Sequence, residues 1–489
     1  MLRAGHPKGL VSLFFAEMWE RFSFYGMRSL LVLYMTKQMF YGDKVAYGVY
    51  GAYGALVYAS PVIGGMFADK LLGHQKAVML GAVLMALGHF CMAVPNEIAF
   101  YMALALLVLG NGFFKPNISS IVGKLYPVGD PRRDAGFTIF YMGINLGAFF
   151  SPLVCGVIGE LYGWHYGFGI AGIGMLIGLL VFRNGRHHFA EHGLPPDPAK
   201  LKAPLFVGLS RQTLLYIGCA MAVPFVALLL NRNQFTGSIL YIVATGILGY
   251  LIYQMVRCEK VERDRLIVIL VLTFFSTLFW AFFEQAGSSL TLFADRNVDR
   301  TFFGWTMPAS LTQSLNPLFI VVLAPLFAKM WVKMQGMSKH PSIPTKFVWA
   351  LAQVGLGFGI LVFGSIFAKD TGITAMVWLV LAYLLHTTGE LCLSPVGLSA
   401  VTKLSPARLV ATVFGAWFLS SSFAHYLGGA IAKFTEVATE EGMAAVVDPV
   451  ASLPVYTGVF TDIFWVSLAA TALLFLCVPF LKKMTHGVE

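Results

Sequence analysis

The first apolar segment of the chain contains the stretch Glu17-Met18-Trp19-Glu20-Arg21-Phe22-Ser23-Phe24-Tyr25-Gly26. Residues of an α-helix step by about 100°, so one face, about 140° wide, collects six side chains: Glu17, Glu20, Arg21, Phe24, Tyr25 and Arg28. Four of these six residues are charged. Charged side chains are expensive to place in lipid, so in membrane helices they face a protein interior or a water-filled path and mark ion or proton routes. The stretch therefore predicts a membrane helix with a functional inner face.

The composition of the whole chain is that of a polytopic membrane protein. Of its 489 residues, 57% are hydrophobic and 12% are charged, whereas soluble globular proteins carry about 25% charged residues. The formal charge of +10 would suit a nucleic-acid partner, but the basic residues lie between apolar segments and not on one soluble domain, which argues against that partner. We expect a lipid bilayer as the partner, and no nucleic acid. We also expect no cleavable signal peptide, because the first apolar segment is too long and carries charges.

The spacing of the apolar segments predicts an all-α fold with fourteen transmembrane helices. Each segment has about 20 residues or more, enough to cross a membrane core of about 30 Å. The predicted helices run roughly over 10–38, 46–71, 76–95, 98–124, 134–160, 165–184, 210–231, 236–257, 265–293, 302–332, 345–368, 373–403, 407–433 and 457–481. This layout predicts an N-terminal six-helix bundle over 1–185, a cytoplasmic linker with two additional helices over 186–264, and a C-terminal six-helix bundle over 265–489.

The distribution of basic residues predicts the orientation. With the N-terminus inside, 24 of the 34 lysines and arginines fall in inside segments and 7 in outside segments, while Arg21, Arg28 and Lys115 fall within the membrane. Inside loops of membrane proteins carry the excess of positive charge. The chain is therefore expected to have both termini in the cytoplasm.

A weak internal repeat relates the two six-helix halves. The residues Pro116, Lys124, Leu125 and Pro127 recur at the same spacing as Pro395, Lys403, Leu404 and Pro406. Repeat-built halves are typical of secondary transporters, whose substrate site lies near the membrane midplane between the repeats.

The ionisable residues deep in apolar segments are four acids and three bases. They are Glu17, Glu20, Glu284, Glu390, Arg21, Arg28 and Lys115. Superposing Pro116 on Pro395 places Glu390 one helical turn from Lys115, so we expect a Lys115–Glu390 pair between the halves. By elimination, Arg28 is expected to pair with Glu284. Buried pairs add little net stability but are costly to break, which suits gates that close in one state and open in another.

Four acids against three bases leave one carboxylate without a cation. Such a group in an apolar interior takes up a proton, and Glu17 and Glu20, crowded beside Arg21, are both candidates. The competing interpretation is that all of these charges form static ion pairs or meet water. His386 lies one turn before Glu390 and is a candidate hydrogen-bond partner for it, although a histidine in this setting is more often a packed residue.

Other polar and aromatic residues at a similar depth predict the lining of a cavity. They are Tyr25, Tyr58, Asn145, Trp280, Gln285, Asn316, Trp417 and Ser421. Each aromatic taken alone is more often a packing or membrane-interface residue, but an amide such as that of Asn145 is unfavourable in lipid. Asp69, in a glycine-flanked stretch that closes the second helix, suits a latch at an inner gate.

The chain has no motif that indicates an enzyme. It contains no G-x-x-x-x-G-K-[ST] phosphate loop and no Ser-His-Asp pattern, and its six cysteines have no metal-ligand spacing. We expect no enzymatic activity, no metal and no cofactor, with the proton as the coupling ion.

Together these residues resemble the proton-dependent oligopeptide transporter (POT/PTR) family of the major facilitator superfamily, bacterial type. The family pattern E-x-x-E-R-F-x-Y-Y-G is matched by Glu17, Glu20, Arg21, Phe22, Tyr25 and Gly26. Phe24 departs from it, because the pattern has a tyrosine there. A second family signature resembles the stretch 137–148 around Asn145, and the Asp69 loop is similar to the superfamily's loop between helices two and three.

The resemblance implies a major facilitator fold and a proton-coupled symporter that imports di- and tripeptides by alternating access. It implies a monomer in the bacterial inner membrane, and it gives proton coupling to Glu17, Glu20 and Arg21. Eukaryotic members carry a histidine on the second helix, and the span has none here, so coupling would fall on carboxylates. Trp280 and Glu284 are added because of their depth in the membrane and, for Glu284, its charge. The candidate substrate-binding residues are then Tyr25, Arg28, Tyr58, Lys115, Asn145, Trp280, Glu284, Asn316, Glu390, Trp417 and Ser421. The candidate gating residues are Asp69, Lys115, Glu390, Arg28 and Glu284.

The chemistry of a peptide fits this set. A dipeptide is a zwitterion, and Glu390 on one side with Arg28 or Lys115 on the other can hold both ends by charge-assisted hydrogen bonds. One alternative is a symporter of another small anion or amino-acid-like solute. A drug/proton antiporter would share the Asp69 loop without needing the first-helix cluster, and a channel or membrane-embedded enzyme is a third alternative.

Overall fold

The computed structural model describes residues 5–127, 129–189, 191–335, 341–437 and 447–488. Within these residues it contains seventeen α-helices and three short two-stranded sheets. They form two compact units, one of Met1–Tyr34 with Leu56–Asn233 and the other of Met35–Ala55 with Gln234–Glu489.

The first unit is built on nine helices. They are α1 (Gly9–Lys37), α2 (Asp43–Phe67), α3 (His74–Met92), α4 (Glu97–Lys124), α5 (Arg133–Ser151), α6 (Val157–Tyr162), α7 (Trp164–Gly185), α8 (Pro198–Lys202) and α9 (Arg211–Asn231). The end of α1 and the first half of α2 belong to the second unit. A π-helical turn, Ala68–Leu72, extends α2, and another, Pro152–Gly156, joins α5 to α6. Strands β1 (Pro204–Phe206) and β2 (Leu209–Ser210) form an antiparallel hairpin before α9.

The second unit is built on eight helices. They are α10 (Asn233–Arg257), α11 (Lys260–Phe283), α12 (Ser289–Asn297), α13 (Leu315–Gln335), α14 (Ile343–Ile366), α15 (Met376–Leu404), α16 (Val410–Ala432) and α17 (Pro449–Met484). Short 3-10 segments lie at Glu284–Gly287, Ala309–Ser314 and Lys433–Thr435. Strand β3 (Val298–Asp299) pairs in parallel with β6 (Thr374–Ala375), and β4 (Thr301–Phe302) forms an antiparallel hairpin with β5 (Trp305–Thr306).

Side-chain caps fix where several of these helices begin. Asn96 accepts hydrogen bonds from the backbone nitrogens of Ile98 and Ala99 at the start of α4, at 2.9 and 3.1 Å. Asp448 does the same for Val450 at 3.0 Å, with Pro449 at the first position of α17. Such caps satisfy backbone donors that have no partner inside the helix.

The all-α membrane architecture predicted from the sequence is confirmed. Over the described residues, twelve helical stretches are long and apolar enough to cross a membrane. Two further long helices are α1, with 29 residues and five charged side chains, and α16, with 23 residues. The count of fourteen membrane helices stays a prediction, as does the division at 185 and 264.

Several predicted helix bounds are wrong. The helix predicted over 265–293 begins at Lys260 and is broken after Phe283 by the 3-10 segment. In the helix predicted over 302–332, the first residues instead form the β4–β5 hairpin and a 3-10 segment. Helix α13 begins only at Leu315. A hydropathy window averages over many residues, so a break as short as Glu284–Gly287 does not register in it.

Candidate functional site

The first helix carries a buried cluster of two carboxylates around one guanidinium. Arg21 donates to both carboxylate oxygens of Glu20, through Nε to Oε2 and through Nη2 to Oε1, the latter at 2.6 Å. The same Nε lies 3.4 Å from Oε1 of Glu17. All three residues are at most 2% exposed. The Arg21 guanidinium therefore makes two hydrogen bonds to Glu20 and one longer contact to Glu17.

The second oxygen of Glu17 is the least satisfied atom of this cluster. Within the part of the chain that the structure describes, Glu17 Oε2 is buried without a hydrogen-bond partner. Asn111, on α4, places its amide nitrogen 3.5 Å from Glu20 Oε1. Lys115 on the same helix interacts electrostatically with both carboxylates. The sequence reasoning paired Lys115 with Glu390 and did not predict that it lies near these two acids.

Aromatic rings accompany the cations of the first unit. Lys115 Nζ lies 4.5 Å from the ring centre of Tyr58, and the Arg28 guanidinium lies 5.8 Å from that of Tyr25. Phe24, where the family pattern has a tyrosine, has its ring 5.1 Å from the Arg21 guanidinium. A cation over an aromatic face is stabilised by the ring quadrupole, and Phe24 retains this contact without a hydroxyl.

Asn145 is buried on α5 and uses its own helix as a partner. Its amide nitrogen donates to the carbonyl of Tyr141 at 3.0 Å. The neighbouring glycines bring α5 close to α1: a Cβ atom at Gly143 would stand 3.0 Å from the Phe14 carbonyl oxygen, and one at Gly147 would stand 3.1 Å from Arg21 Cβ. The signature around Asn145 thus places α5 directly behind the charged cluster.

In the second unit, Glu390 is held by an amide. Asn316, near the start of α13, donates through Nδ2 to Glu390 Oε2 at 2.9 Å, and the same nitrogen lies 3.1 Å from Thr387 Oγ1. Glu390 itself is half-buried on α15. Two candidates that lie 74 residues apart in the sequence are therefore direct neighbours.

Glu284 lies at the break between α11 and α12 and faces a histidine that the sequence reasoning missed. His425 Nδ1, on α16, lies 3.4 Å from Glu284 Oε2, and both side chains are buried. His425 also packs on Gly54, where a Cβ atom would stand 2.9 Å from its Nδ1. The sequence did offer one signal for this contact, because His425 is a polar residue within the apolar run that forms α16. The expected pairs Lys115–Glu390 and Arg28–Glu284 join residues of different units and stay predictions.

His386 is packed and is not placed on Glu390. Its ring lies against Phe358, with ring centres 4.8 Å apart, and its Nε2 has no hydrogen-bond partner among the described residues. Gln285, expected in the cavity lining, instead holds the helix break: its amide nitrogen donates to Gly428 O at 2.9 Å, and its oxygen accepts from Ser289 at 2.6 Å.

The remaining candidates of the second unit are aromatic or small. Trp280 is half-buried and packs edge-to-face on Phe279 and Phe283, at 5.3 and 5.1 Å between ring centres. Trp417 is buried and packs closely on Gly397, and Ser421, one turn further along α16, is half-buried.

Asp69 lies in the π-helical turn after α2, with an exposed side chain. Its Oδ1 is 3.5 Å from Nε2 of His74. The same His74 nitrogen lies 2.7 Å from Nζ of Lys124. The other ring nitrogen of His74 lies 2.8 Å from Asn117 Oδ1, and the Asn117 amide nitrogen donates to Phe113 O. His74 Nδ1 therefore donates to Asn117, and Nε2 faces the Lys124 ammonium group as an acceptor. The sequence reasoning identified Asp69 but missed this histidine.

A second pair that the sequence reasoning missed lies near the start of α2. Arg296, on α12, donates to both oxygens of Asp43 at 2.6 and 2.8 Å and to the Tyr456 hydroxyl at 3.0 Å. Asp43 is 3% exposed. Asp43 and Arg296 are 253 residues apart, and no repeat relates them.

Comparison with known sequences gives consistent relatives. The family model described as the POT family matches residues 75–448. The chain is 38% identical to an uncharacterised transporter, YclF, of Bacillus subtilis, over 99% of this chain and 96% of that protein. It is 38% identical to the peptide transporter YePEPT of Yersinia enterocolitica, over 87% and 88% of the two chains. It is 33% identical to dipeptide and tripeptide permease B of Salmonella typhimurium, over 99% and 97%.

Solved structures give the same result for the fold. A crystal structure of a peptide transporter POT in complex with sulfate has a TM-score of 0.83 and 38% identity, over 99% of this chain and 96% of that one. A crystal structure of tetrameric PepTSo2 has a TM-score of 0.84 and 31% identity, over 97% and 99%. The monomer expected for this chain stays a prediction beside that tetramer. The family match, the full-length relatives and the shared fold show that this chain belongs to the POT family of multi-pass membrane transporters.

Proposed function

We propose that the protein is a proton-coupled symporter that imports di- and tripeptides by alternating access. Membership of the POT family supports transport, and the peptide-transporting relatives from Yersinia and Salmonella support small peptides as the substrate. The inner membrane of a bacterium is the proposed location, with the proton as the coupling ion.

The cluster on α1 carries the coupling part of this proposal. Two buried carboxylates share one guanidinium, and the bidentate bonds of Arg21 go to Glu20. Glu17 is left with a buried oxygen that has no partner among the described residues. Burial disfavours the charged form of a carboxyl group that lacks full compensation. Glu17 is thus the proposed proton-binding residue, Glu20 the ionised partner of Arg21, and Arg21 the group that senses whether Glu17 is charged.

The peptide ends are proposed to bind to charges of opposite sign. Glu390, oriented by Asn316, would accept hydrogen bonds from the peptide ammonium group, and Arg28 or Lys115 would donate to the carboxylate. The proposed lining is completed by Tyr25, Tyr58, Asn145, Trp280, Glu284, Trp417 and Ser421. Aromatic walls with polar ends accept many side chains, which gives breadth in place of sharp specificity.

The proposed gates are the charged pairs of these same residues. Lys115 with Glu390 and Arg28 with Glu284 would form in one state and separate in the other. Asp69 would latch the inner side, where His74 lies 3.5 Å from it and in turn contacts Lys124.

The energy available to such a symporter is adequate. One proton that enters down about 100 mV releases about 2.3 kcal/mol, which corresponds to roughly fiftyfold accumulation of a neutral substrate. No covalent step is required.

The proposal is tested with purified protein in liposomes and labelled dialanine. An inward proton gradient should drive accumulation, and a protonophore should abolish it while leaving exchange of internal for external dialanine intact. Accumulation of a different small solute under the same gradient, with no uptake of dialanine, would indicate the solute-symporter alternative. Export of a substrate against an inward gradient would indicate an antiporter, and current without substrate would indicate a channel.

A further inference from the structure

An exposed apolar hairpin precedes α9. It comprises β1, β2 and the two-residue turn Val207-Gly208 between them. Its tip residues Leu205, Phe206 and Val207 are 60, 67 and 79% exposed. Three adjacent exposed apolar side chains at a hairpin tip require an explanation, because water is a poor environment for them.

The turn itself is unusual for a soluble hairpin. Val207 and Gly208 have φ angles of +49° and +72°, which fits the two-residue turns that favour Asn-Gly or Asp-Gly. A β-branched valine is disfavoured at positive φ. The chain therefore keeps an apolar residue at a position where a small polar one would be better both for the backbone and for contact with water.

The hairpin is fixed to the first unit at the end of a membrane span. Leu201, on α8, is fully buried in a cluster with Leu72, Ala77 and Phe113. The Arg211 side chain donates to the Lys200 carbonyl at 3.0 Å. Arg211 is also the first residue of α9, which is long and apolar enough to cross a membrane. The hairpin therefore adjoins the first residue of this candidate span.

Several basic side chains lie around the base of the hairpin. Lys76 interacts electrostatically with Lys202 and Arg186. Lys76 donates to the Gln212 side chain at 2.8 Å and Arg186 to that of Gln75 at 3.2 Å, and both of these acceptors are neutral amides. Lys200 is exposed on α8. This arrangement offers several cations to a single anionic surface.

We propose that residues 198–211 form an interfacial anchor that binds anionic phospholipid. The apolar tip of the hairpin inserts at the boundary of head groups and acyl chains, and the lysines and arginines around it contact the lipid phosphates. Basic residues beside a membrane span attract anionic lipid head groups. Apolar side chains at the same place strengthen binding, because they insert among the acyl chains. The anchor would hold one end of α9 at a defined depth in the bilayer.

The β4–β5 hairpin provides an internal comparison. It has a similar tip, with Phe303 and Gly304 at φ angles of +50° and +81° and with Phe303 fully exposed. Its arginine is compensated, because Arg300 pairs with Asp295 at 3.2 Å. An apolar tip without excess charge should contact lipid without selecting anionic head groups.

The test replaces Phe206 with the photoreactive residue p-benzoylphenylalanine in the full-length protein. The variant is reconstituted in nanodiscs of equal parts phosphatidylglycerol and phosphatidylcholine and irradiated, and lipid adducts are identified by mass spectrometry. The same residue at Phe225, which is exposed on α9, is the positive control for lipid contact. Placed at Phe303, it is the control for lipid selection.

We expect adducts at position 206, with a ratio of phosphatidylglycerol to phosphatidylcholine at least about twofold higher than at position 303. The pair Lys200→Gln/Lys202→Gln should reduce this excess at least about twofold, whereas Lys200→Arg/Lys202→Arg should retain it. Both lysines are exposed, and peptide exchange in liposomes checks that the variants remain folded. No adduct at 206 while 225 reacts would overturn the insertion. Equal ratios at 206 and 303, or a ratio unchanged by the glutamine pair, would overturn the recognition of anionic lipid.

Discussion

Arg21 lies between two carboxylates of its own helix and serves them unequally. The bidentate bonds to Glu20 fix that pair, while Glu17 has one contact at 3.4 Å and one oxygen without a partner among the described residues. A buried pair with good geometry becomes costly when one partner is removed, because the other charge is left uncompensated. This unequal division is the basis on which we propose a proton-binding role for Glu17 and a structural role for Glu20.

The first prediction concerns this division. Arg21→Met should destabilise the protein by roughly 3–5 kcal/mol, because it leaves Glu20 buried without its guanidinium. The measurement is thermal unfolding in detergent followed by intrinsic fluorescence. Adding Glu20→Gln to the variant should recover much of the loss, since the unpaired charge is removed. If the two substitutions destabilised additively, the bidentate pair would not be the source of the effect.

The second prediction concerns recognition of the peptide ammonium group. Glu390→Gln should raise the KM for dialanine roughly tenfold or more, because a charge-assisted hydrogen bond is replaced by a neutral one. Uptake assays with N-acetyl-dialanine supply the matched control, since this peptide has no ammonium group. Wild type should prefer dialanine and the variant should lose that preference. An equal effect on both peptides would remove Glu390 from ammonium recognition.

Contacts between residues close in sequence could be predicted, whereas contacts between residues that only the fold brings together could not. The one-face arrangement of Glu17, Glu20 and Arg21 follows from helix periodicity alone. The contact of Glu284 with His425 spans 141 residues, and neither hydropathy nor the repeat relates them. Gln285 shows the same limit, because its role depends on the Gly428 carbonyl of another helix.

At the scale of elements, α1 and α5 meet through two glycines. Gly143 and Gly147 are four residues apart and so lie on one face of α5, which lets two helix backbones approach closely. A Cβ atom at Gly147 would overlap the Met18 carbonyl oxygen and stand 2.9 Å from the Phe22 nitrogen. The turn of α1 that holds the charged cluster is therefore positioned by the absence of a side chain on α5.

The third prediction follows from this contact. Gly147→Ala should lower the unfolding temperature, with an overpacking cost of about 1–3 kcal/mol, and should weaken gradient-driven uptake because α1 is displaced at Arg21. Gly169→Ala is the matched control, since Gly169 lies in α7 and a Cβ atom there meets nothing within 4 Å. That change should be neutral or slightly stabilising. Equal behaviour of the two variants in thermal unfolding would show that α5 does not position the cluster.

The broken helix shows what an element-level prediction misses. The chain from Lys260 to Asn297 is apolar enough to be read as one span, yet the structure turns into a 3-10 segment at Glu284. The break is held by tertiary hydrogen bonds of Gln285 to Gly428 and Ser289. Their energy comes from partners that local sequence does not reveal, so the approximate position of the helix was predicted and its interruption was not.

At the scale of the whole molecule, the charge distribution predicts the orientation. Both termini should be cytoplasmic, because 24 of 34 basic residues then fall in inside segments. A fluorescent protein fused after residue 489 should be fluorescent in cells, since it folds in the cytoplasm, and alkaline phosphatase fused there should be inactive. The same phosphatase fused in the predicted outside stretch at Lys369-Asp370 is the control and should be active. An active phosphatase at the C-terminus would reverse the predicted topology.

Peptide import is proposed to be driven by proton binding at Glu17. The most direct test compares wild type with Glu17→Gln in liposomes, measuring dialanine accumulation under an inward proton gradient and exchange without a gradient. We expect the variant to lose gradient-driven accumulation and to retain exchange, because its neutral side chain leaves the peptide site intact but cannot bind and release a proton. Accumulation of dialanine at the wild-type level in the variant would contradict proton coupling through Glu17 and would place proton coupling at another residue.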